Sequence, residues 1–283
     1  MRKNRDKKMT YLQALGWLVG GWSAYKLYES VAKPKGKVEF GELNLVGVDD
    51  ETFNPDEALR KFDEQKAMLK LQFDPSEPQG KEHERWIFIE LCKLVKAGKM
   101  EKNHAAAIMA NMMIECHFKL STEHPDYKFS NKQGRYDLRG KEKEYFMWRY
   151  GGAKTSYKSG AHGRRNLGNI TALDGYTFRG RGFCQLTGRE LYERAKRIFK
   201  LDFVSNPELV LQKEYAFNIA VTFFMGWKGG FFANPKYVLP KVMPNGSADF
   251  SMSRFCLNPG ETEKYGQVNR FGNAYLKIFN IVL

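Results

Sequence analysis

Apolar positions recur with a helical period over most of the second half of the chain. "HERWIFIELCKLVKAGKM" sets Trp86, Ile89 and Leu94 on one broad face and runs out near Gly98, which predicts a helix over 83–97. "NHAAAIMANMMIECHF" follows with Asn103 as an N-cap and an alanine-rich body, predicting 103–118. Further helices are expected at 188–200 and at 207–226, the latter capped by Asn206 and opened by Pro207. Upstream, Asn54 and Pro55 mark the start of a short helix reaching about Leu71, and "FDPSEPQGKE" breaks the pattern. "FFANPKYVLPKVMPNGSADF" reads as a loop-rich stretch. The chain is therefore expected to be mainly α.

The N-terminus follows a different pattern. Five bases precede Met9, and from Met9 to Tyr25 there is no charged residue. Those 17 residues would make about 26 Å of helix, a little short of a roughly 30 Å hydrocarbon core. Tyr11, Trp22, Tyr25 and Tyr28 suit the membrane interfaces, and Gly16, Gly20 and Ala24 repeat the small-xxx-small spacing of associating membrane helices. Residues 9–28 are expected to be a membrane anchor, with an amphipathic or buried helix as the alternative. The basic flank then leaves the rest of the chain on the far, periplasmic side. Lys26 and Glu29 lie between the apolar run and Ser30-Val31-Ala32, which argues against a cleaved signal.

Charge divides the 283 residues further. Residues 1–40 carry 9 bases and 3 acids (+6), 41–100 carry 9 and 13 (−4), and 101–283 carry 28 and 16 (+12). Three segments are expected: 1–32, the basic N-terminus and anchor; 33–81, an acidic spacer; and 82–283, one large domain. The basic body points to an anionic partner such as a cell wall, a membrane surface or nucleic acid. No nucleic-acid-binding module accompanies the charge, so specific nucleic-acid binding is not expected. The four cysteines are widely spaced, with no CxxC or Cys/His run for zinc, and no metal or other cofactor is expected.

Two carboxyls stand out. Glu115 ends an otherwise apolar helical run, where desolvation favours the protonated form that a general acid needs. The alternative is a helix-end glutamate turned to water. Glu123 lies eight residues on, in the polar "LSTEHPDYKFS". One carboxyl in an apolar setting and one in a polar loop is the pairing that glycoside hydrolysis uses.

"NLGNITALDGYTFRGRGFCQLTGRELYERA" resembles the signature of glycoside hydrolase family 19, which holds chitinases and phage endolysins. The likeness is dense over 167–192 and weaker over about 83–283. "MIECHFKLSTEHPDYKFS" is similar to the family segment that supplies both catalytic carboxylates, and "CLNPG" to a late element at the substrate cleft. The resemblance implies a two-lobed, lysozyme-like domain with a cleft between the lobes. It implies Glu115 as general acid, Glu123 as general base, and Thr187 as partner of the attacking water. Gln185, Tyr192, Asn258, Arg179 and Arg181 would meet substrate, with the two arginines as salt-bridge partners in the alternative. The sequence departs from the family at Ile114, Cys116 and His117, where His, Ser or Thr, and Gly are usual, and the loop between the carboxylates is a residue shorter. Glu142 and Glu144 stay open as alternative bases.

The reaction so implied is inverting hydrolysis of β-1,4 glycosidic bonds, with the carboxyls about 6.5–9.5 Å apart. Peptidoglycan strands are the expected partner, and the enzyme is expected to be phage-encoded, for lysis or entry. It would be held at the host or a viral membrane. A chitinase, and a membrane-anchored virion protein that has lost the chemistry, are the alternatives.

Overall fold

The computed structural model describes residues 52–69, 78–126, 138–152, 167–229, 235–244, 246–258 and 261–283. The described chain is mainly helical, as expected. The expected anchor at residues 9–28 lies outside the described residues, among which no helix is long and apolar enough to cross a membrane.

The principal helices are α1 (Pro55–Met68), α2 (Pro78–Lys96), α3 (Lys102–Cys116), α4 (Glu142–Tyr150), α5 (Ala172–Thr177), α6 (Arg189–Phe199), α7 (Lys213–Met225), α8 (Leu239–Val242) and α9 (Tyr265–Val282). Short 3₁₀ turns at Pro207–Leu211 and Phe250–Cys256 join them. α3 is the central rod. Its residues from Asn103 to Met113 are buried without interruption, so it is covered on all sides rather than on one face. α9 lies along it, and Gly272 lets α9 pack closely on the 3₁₀ turn Phe250–Cys256: a Cβ there would sit 2.2 Å from the Phe250 ring.

Several boundaries differ from the sequence reading. α2 begins at Pro78 rather than residue 83, because proline is at ease in a first turn. Asn103 is not the cap of α3; Glu101 takes that place with an extended backbone. Asn103 instead accepts from the His104 N–H at 2.9 Å and donates to the Ser247 carbonyl at 3.3 Å. The expected 207–226 helix is two pieces, a 3₁₀ turn and α7, parted at Gln212, whose backbone is extended. α9 was not anticipated, although Val268, Gly272, Tyr275 and Phe279 bury one stripe of it.

The larger correction concerns the acidic spacer. Asn54 caps α1 as expected, its Oδ1 accepting from the N–H groups of Asp56 and Glu57 at 3.1 Å each. Yet α1 packs into the core instead of standing clear of it. Phe62 is fully buried, with its ring 4.3 Å from that of Phe88, which in turn lies 4.8 Å from Phe279. Glu84 on α2 is buried and held from two sides. It pairs with Lys66 of α1 and accepts from the Tyr275 hydroxyl of α9 at 2.6 Å. A buried carboxylate with both oxygens engaged ties three helices together, and losing either partner would strand its charge.

Buried apolar side chains form two clusters. The larger spans α1–α3, α6, α7 and α9. The smaller comprises Leu138, Tyr145, Phe146, Trp148, Tyr150 and Leu167, around α4. The segment 178–187 contributes Phe178, Phe183, Cys184 and Leu186 to the larger cluster.

Because Phe62 belongs to the core, Phe62→Ala is expected to cost about 3–5 kcal/mol, measured by urea unfolding of the full chain. A cost under about 0.5 kcal/mol, the usual size of a surface change, would return α1 to the spacer.

Candidate active site

The segment 179–187 is held from below by one buried cation. Arg181 is 1% exposed. Its Nη1 donates to the carbonyls of Thr177 (2.8 Å) and Arg179 (3.2 Å) and to the Tyr192 hydroxyl (3.1 Å), and its Nη2 to Glu208 Oε1 at 2.7 Å. Its backbone pairs on both sides, antiparallel to Thr122 and to Leu186. The result is a miniature sheet of 121–123, 180–182 and 185–187, closed by Glu123 N–H to Gly180 O at 2.8 Å and Leu186 N–H to Arg181 O at 2.9 Å. Gly182 has φ +73° and no room for a side chain beside the Val210 carbonyl. Its role is to let the turn close.

Gly180 has a different role. A Cβ there would meet Gln185 Oε1 at 2.8 Å, Glu123 Oε2 at 3.1 Å and Thr187 Oγ1 at 3.2 Å. Three side-chain oxygens thus converge on one bare backbone position. Gln185 reaches it from a left-handed backbone (φ +51°), a conformation a non-glycine residue adopts at a cost of roughly 1–3 kcal/mol. Its amide N–H groups are spent on Gly182 O (3.0 Å) and Ser121 O (3.3 Å), which turns the oxygen toward Gly180. Thr187 spends its proton on the Gln185 carbonyl at 2.7 Å, leaving its lone pairs as acceptors. Glu123 itself accepts from the Tyr150 hydroxyl at 2.8 Å and from the Gly180 N–H at 3.3 Å, with Arg149 Nε 3.8 Å away.

Glu115 stands on the last turn of α3. The next residue, Cys116, places its Sγ 3.6 Å from the Phe183 carbonyl, so this helix end abuts the turn segment. The chain then reverses through two successive left-handed residues, His117 (φ 48°) and Phe118 (φ 57°), and His83 Nδ1 donates to the Phe118 carbonyl at 2.9 Å. The surroundings of Glu115 are not the apolar ones its neighbours in sequence suggested. Its Oε1 lies 2.6 Å from Nη2 of the buried Arg254 and 3.7 Å from Lys264 Nζ. Glu261 shares both cations, pairing with Arg254 and lying 2.9 Å from Lys264. Burial opposes its ionisation, but Lys264 and Arg254 hold the Glu261 carboxyl below the ordinary range.

The other expected site residues divide. Arg181 and Tyr192, both expected to meet substrate, lie beneath the turn; Tyr192 is fully buried, and its hydroxyl donates to the Arg179 carbonyl at 3.1 Å. No sugar ring can stack there. Arg179 lies against the Tyr176 ring (4.1 Å to the centroid) and 3.5 Å from Glu142, so the two arginines meet Glu208 and Glu142 rather than the paired carboxylates. Glu144 is exposed on the first turn of α4. Asn258 is exposed at the end of the 3₁₀ turn that carries Arg254, and its carbonyl accepts from Glu261 N–H at 3.2 Å. All four cysteines are free and buried, and burial pushes the Cys116 and Cys184 thiols up to about 12. Among the described residues no group of His, Cys, Asp or Glu is placed to hold a metal ion.

Sequence reasoning missed Arg254, Glu261, Lys264 and Tyr150. The first three do share a short stretch with the element around Asn258, "RFCLNPGETEK", a signal of alternating charge that went unused.

Asp174 braces this region from α5. It completes a capping box with Thr171, accepts from Ile170 N–H at 2.7 Å, and takes the Arg189 fork at 2.8 and 2.9 Å. Burial opposes ionisation, yet Arg189 and the two backbone N–H groups bring its carboxyl down to about 2. A depressed carboxyl stabilises the fold above the unfolded-state value near 4 and loses that contribution as pH falls toward 2. Asp174→Asn is expected to cost roughly 2 kcal/mol at pH 6, with the deficit against wild type shrinking between pH 4 and 2 in chemical denaturation.

No protein-family model matches the chain, and no curated protein matches it. What this arrangement does must be read from its own residues.

Proposed function

We propose that the chain is an inverting glycoside hydrolase of two-lobed, lysozyme-like architecture that cuts β-1,4 bonds in peptidoglycan. The observation that carries this reading is the convergence of Glu123 Oε2, Thr187 Oγ1 and Gln185 Oε1 on the bare face of Gly180. A water at that face can give one proton to Glu123 and direct the other at Thr187 or Gln185, both of which have acceptor lone pairs free. Its own lone pair then points outward, toward a bound sugar. Glu123 is the general base in this scheme, Thr187 and Gln185 fix the water, and the absent side chain of Gly180 leaves room for it.

Glu115 is the general acid. Its Oε1 faces Arg254 and Lys264, two cations that it shares with Glu261. In the reaction the protonated form of Glu115 gives its proton to the leaving glycosidic oxygen as that bond to the anomeric carbon breaks. The water oxygen bonds to the opposite face of the same carbon, and its proton goes to Glu123. Asn258, exposed beside this cluster, is the remaining candidate for sugar contact.

Peptidoglycan is preferred to chitin because residues 101–283 carry net +12, which suits an anionic wall. A tether through residues 9–28 would hold the enzyme at a membrane facing that wall, in the host or in a phage particle.

Wild-type full-length chain is expected to release reducing ends from purified peptidoglycan, with Glu115→Gln lowering the rate about 10²–10⁴-fold. Cleavage of chitin alone would move the substrate to that polymer, and cleavage of neither would favour an inactive binding protein.

A further inference from the structure

The two oxygens of Glu123 are treated differently by the fold. Oε1 accepts from the Tyr150 hydroxyl at 2.8 Å and faces the Arg149 guanidinium, whose Nε is 3.8 Å away. Oε2 has only the long contact to Gly180 N–H, at 3.3 Å, and looks onto the Gly180 face with Thr187 and Gln185. The carboxylate is therefore held chiefly by one oxygen, and the other makes only the long Gly180 contact.

The group that holds it is rigid. Tyr150 is the last residue of α4 and is only 9% exposed. Its ring stacks on Phe146 with centroids 6.1 Å apart, and the Arg149 guanidinium lies 5.3 Å from its centroid. Its carbonyl is fixed in turn, accepting from Asn169 Nδ2 at 2.8 Å. Burial and the neighbouring Glu123 charge both push the phenol's pKa up, so the hydroxyl remains a donor throughout the working pH range.

We infer that Tyr150 is the positioning residue of the base: it fixes the Glu123 carboxylate by Oε1 and so reserves Oε2 to take the proton of the attacking water. This inference rests on the hydrolase reading above, with Glu123 as base. An oxygen that already accepts from a phenol and faces a guanidinium is the weaker proton acceptor of the two. Without the tether the carboxylate turns about its last bond, and the water is held by Thr187 and Gln185 alone. Tyr150 also belongs to the smaller apolar cluster, whereas the turn carrying Gly180 belongs to the larger. The base is thus held across the join between them.

The test is a double-mutant cycle on soluble glycan strands with the full chain: wild type, Tyr150→Phe, Glu123→Gln and the double variant. Tyr150→Phe is expected to lower kcat at least tenfold with KM unchanged, and the double variant to be no slower than Glu123→Gln alone. A Tyr150→Phe rate equal to wild type, or losses that multiply in the double variant, would overturn the inference, since the tyrosine would then act independently of Glu123. Crystal structures of the wild type and Tyr150→Phe separate this from a failure of the hydrolase reading. Should the wild type cleave no glycan, a Glu123 carboxylate displaced from Gly180 in the variant upholds the tether, and an unmoved one refutes it.

Discussion

Arg181 carries a full positive charge into the interior directly beneath the segment where the side-chain oxygens gather. Taking a guanidinium out of water is costly unless its donors find partners, and here two carbonyls, a tyrosine hydroxyl and Glu208 meet the donors of its two terminal nitrogens. The same residue pairs through its backbone with both neighbouring segments. Its placement therefore sets the path of 179–187, which sets the bare face at Gly180 and the left-handed backbone at Gln185. Loss of the guanidinium would leave several buried acceptors unmet at once and loosen the turn that aligns Glu123, Gln185 and Thr187.

The two sides of the proposed site solve opposite electrostatic problems with different means. On the acid side, two cations and two carboxylates form one cluster, in which Glu261 shares Arg254 and Lys264 with Glu115. On the base side, a neutral donor from Tyr150 fixes Glu123 without fully neutralising it, and Arg149 stays at 3.8 Å. A direct arginine pair on the base would blunt it as a proton acceptor, and a phenol does so less. The two carboxyls reach these settings from α3 and from the short segment after it, separated by the reversal at His117 and Phe118.

Much of this was legible in the sequence, and the limits have physical causes. The α2 helix follows from apolar period, α3 from its alanine-rich body, and the α1 cap from Asn54-Pro55. The burial of α1 was hidden because its composition is acidic. Only Ala58 and Phe62 are buried on it, too few to show as a stripe, and its place in the core depends on Phe88, Phe279 and Glu84. Glu123 was legible as a carboxyl in a polar loop eight residues after Glu115, and Gln185 and Thr187 only through the family resemblance of 167–192. Tyr192 and Arg181 were misplaced because a residue one helical turn beyond a site can point beneath it as easily as into it. The setting of Glu115 could not be read locally at all: Arg254 lies 139 residues away in sequence, and only the fold brings it within 2.6 Å.

In the proposed reaction Glu123 activates a water on the face of the sugar opposite the bond that Glu115 protonates. The most direct test is the anomeric configuration of the first product, followed by proton NMR during cleavage of a β-1,4-linked glycan before mutarotation sets in. Inversion at a β-linked anomeric carbon releases the α-anomer first. First appearance of the β-anomer, or of an anhydro sugar formed without water, would contradict it.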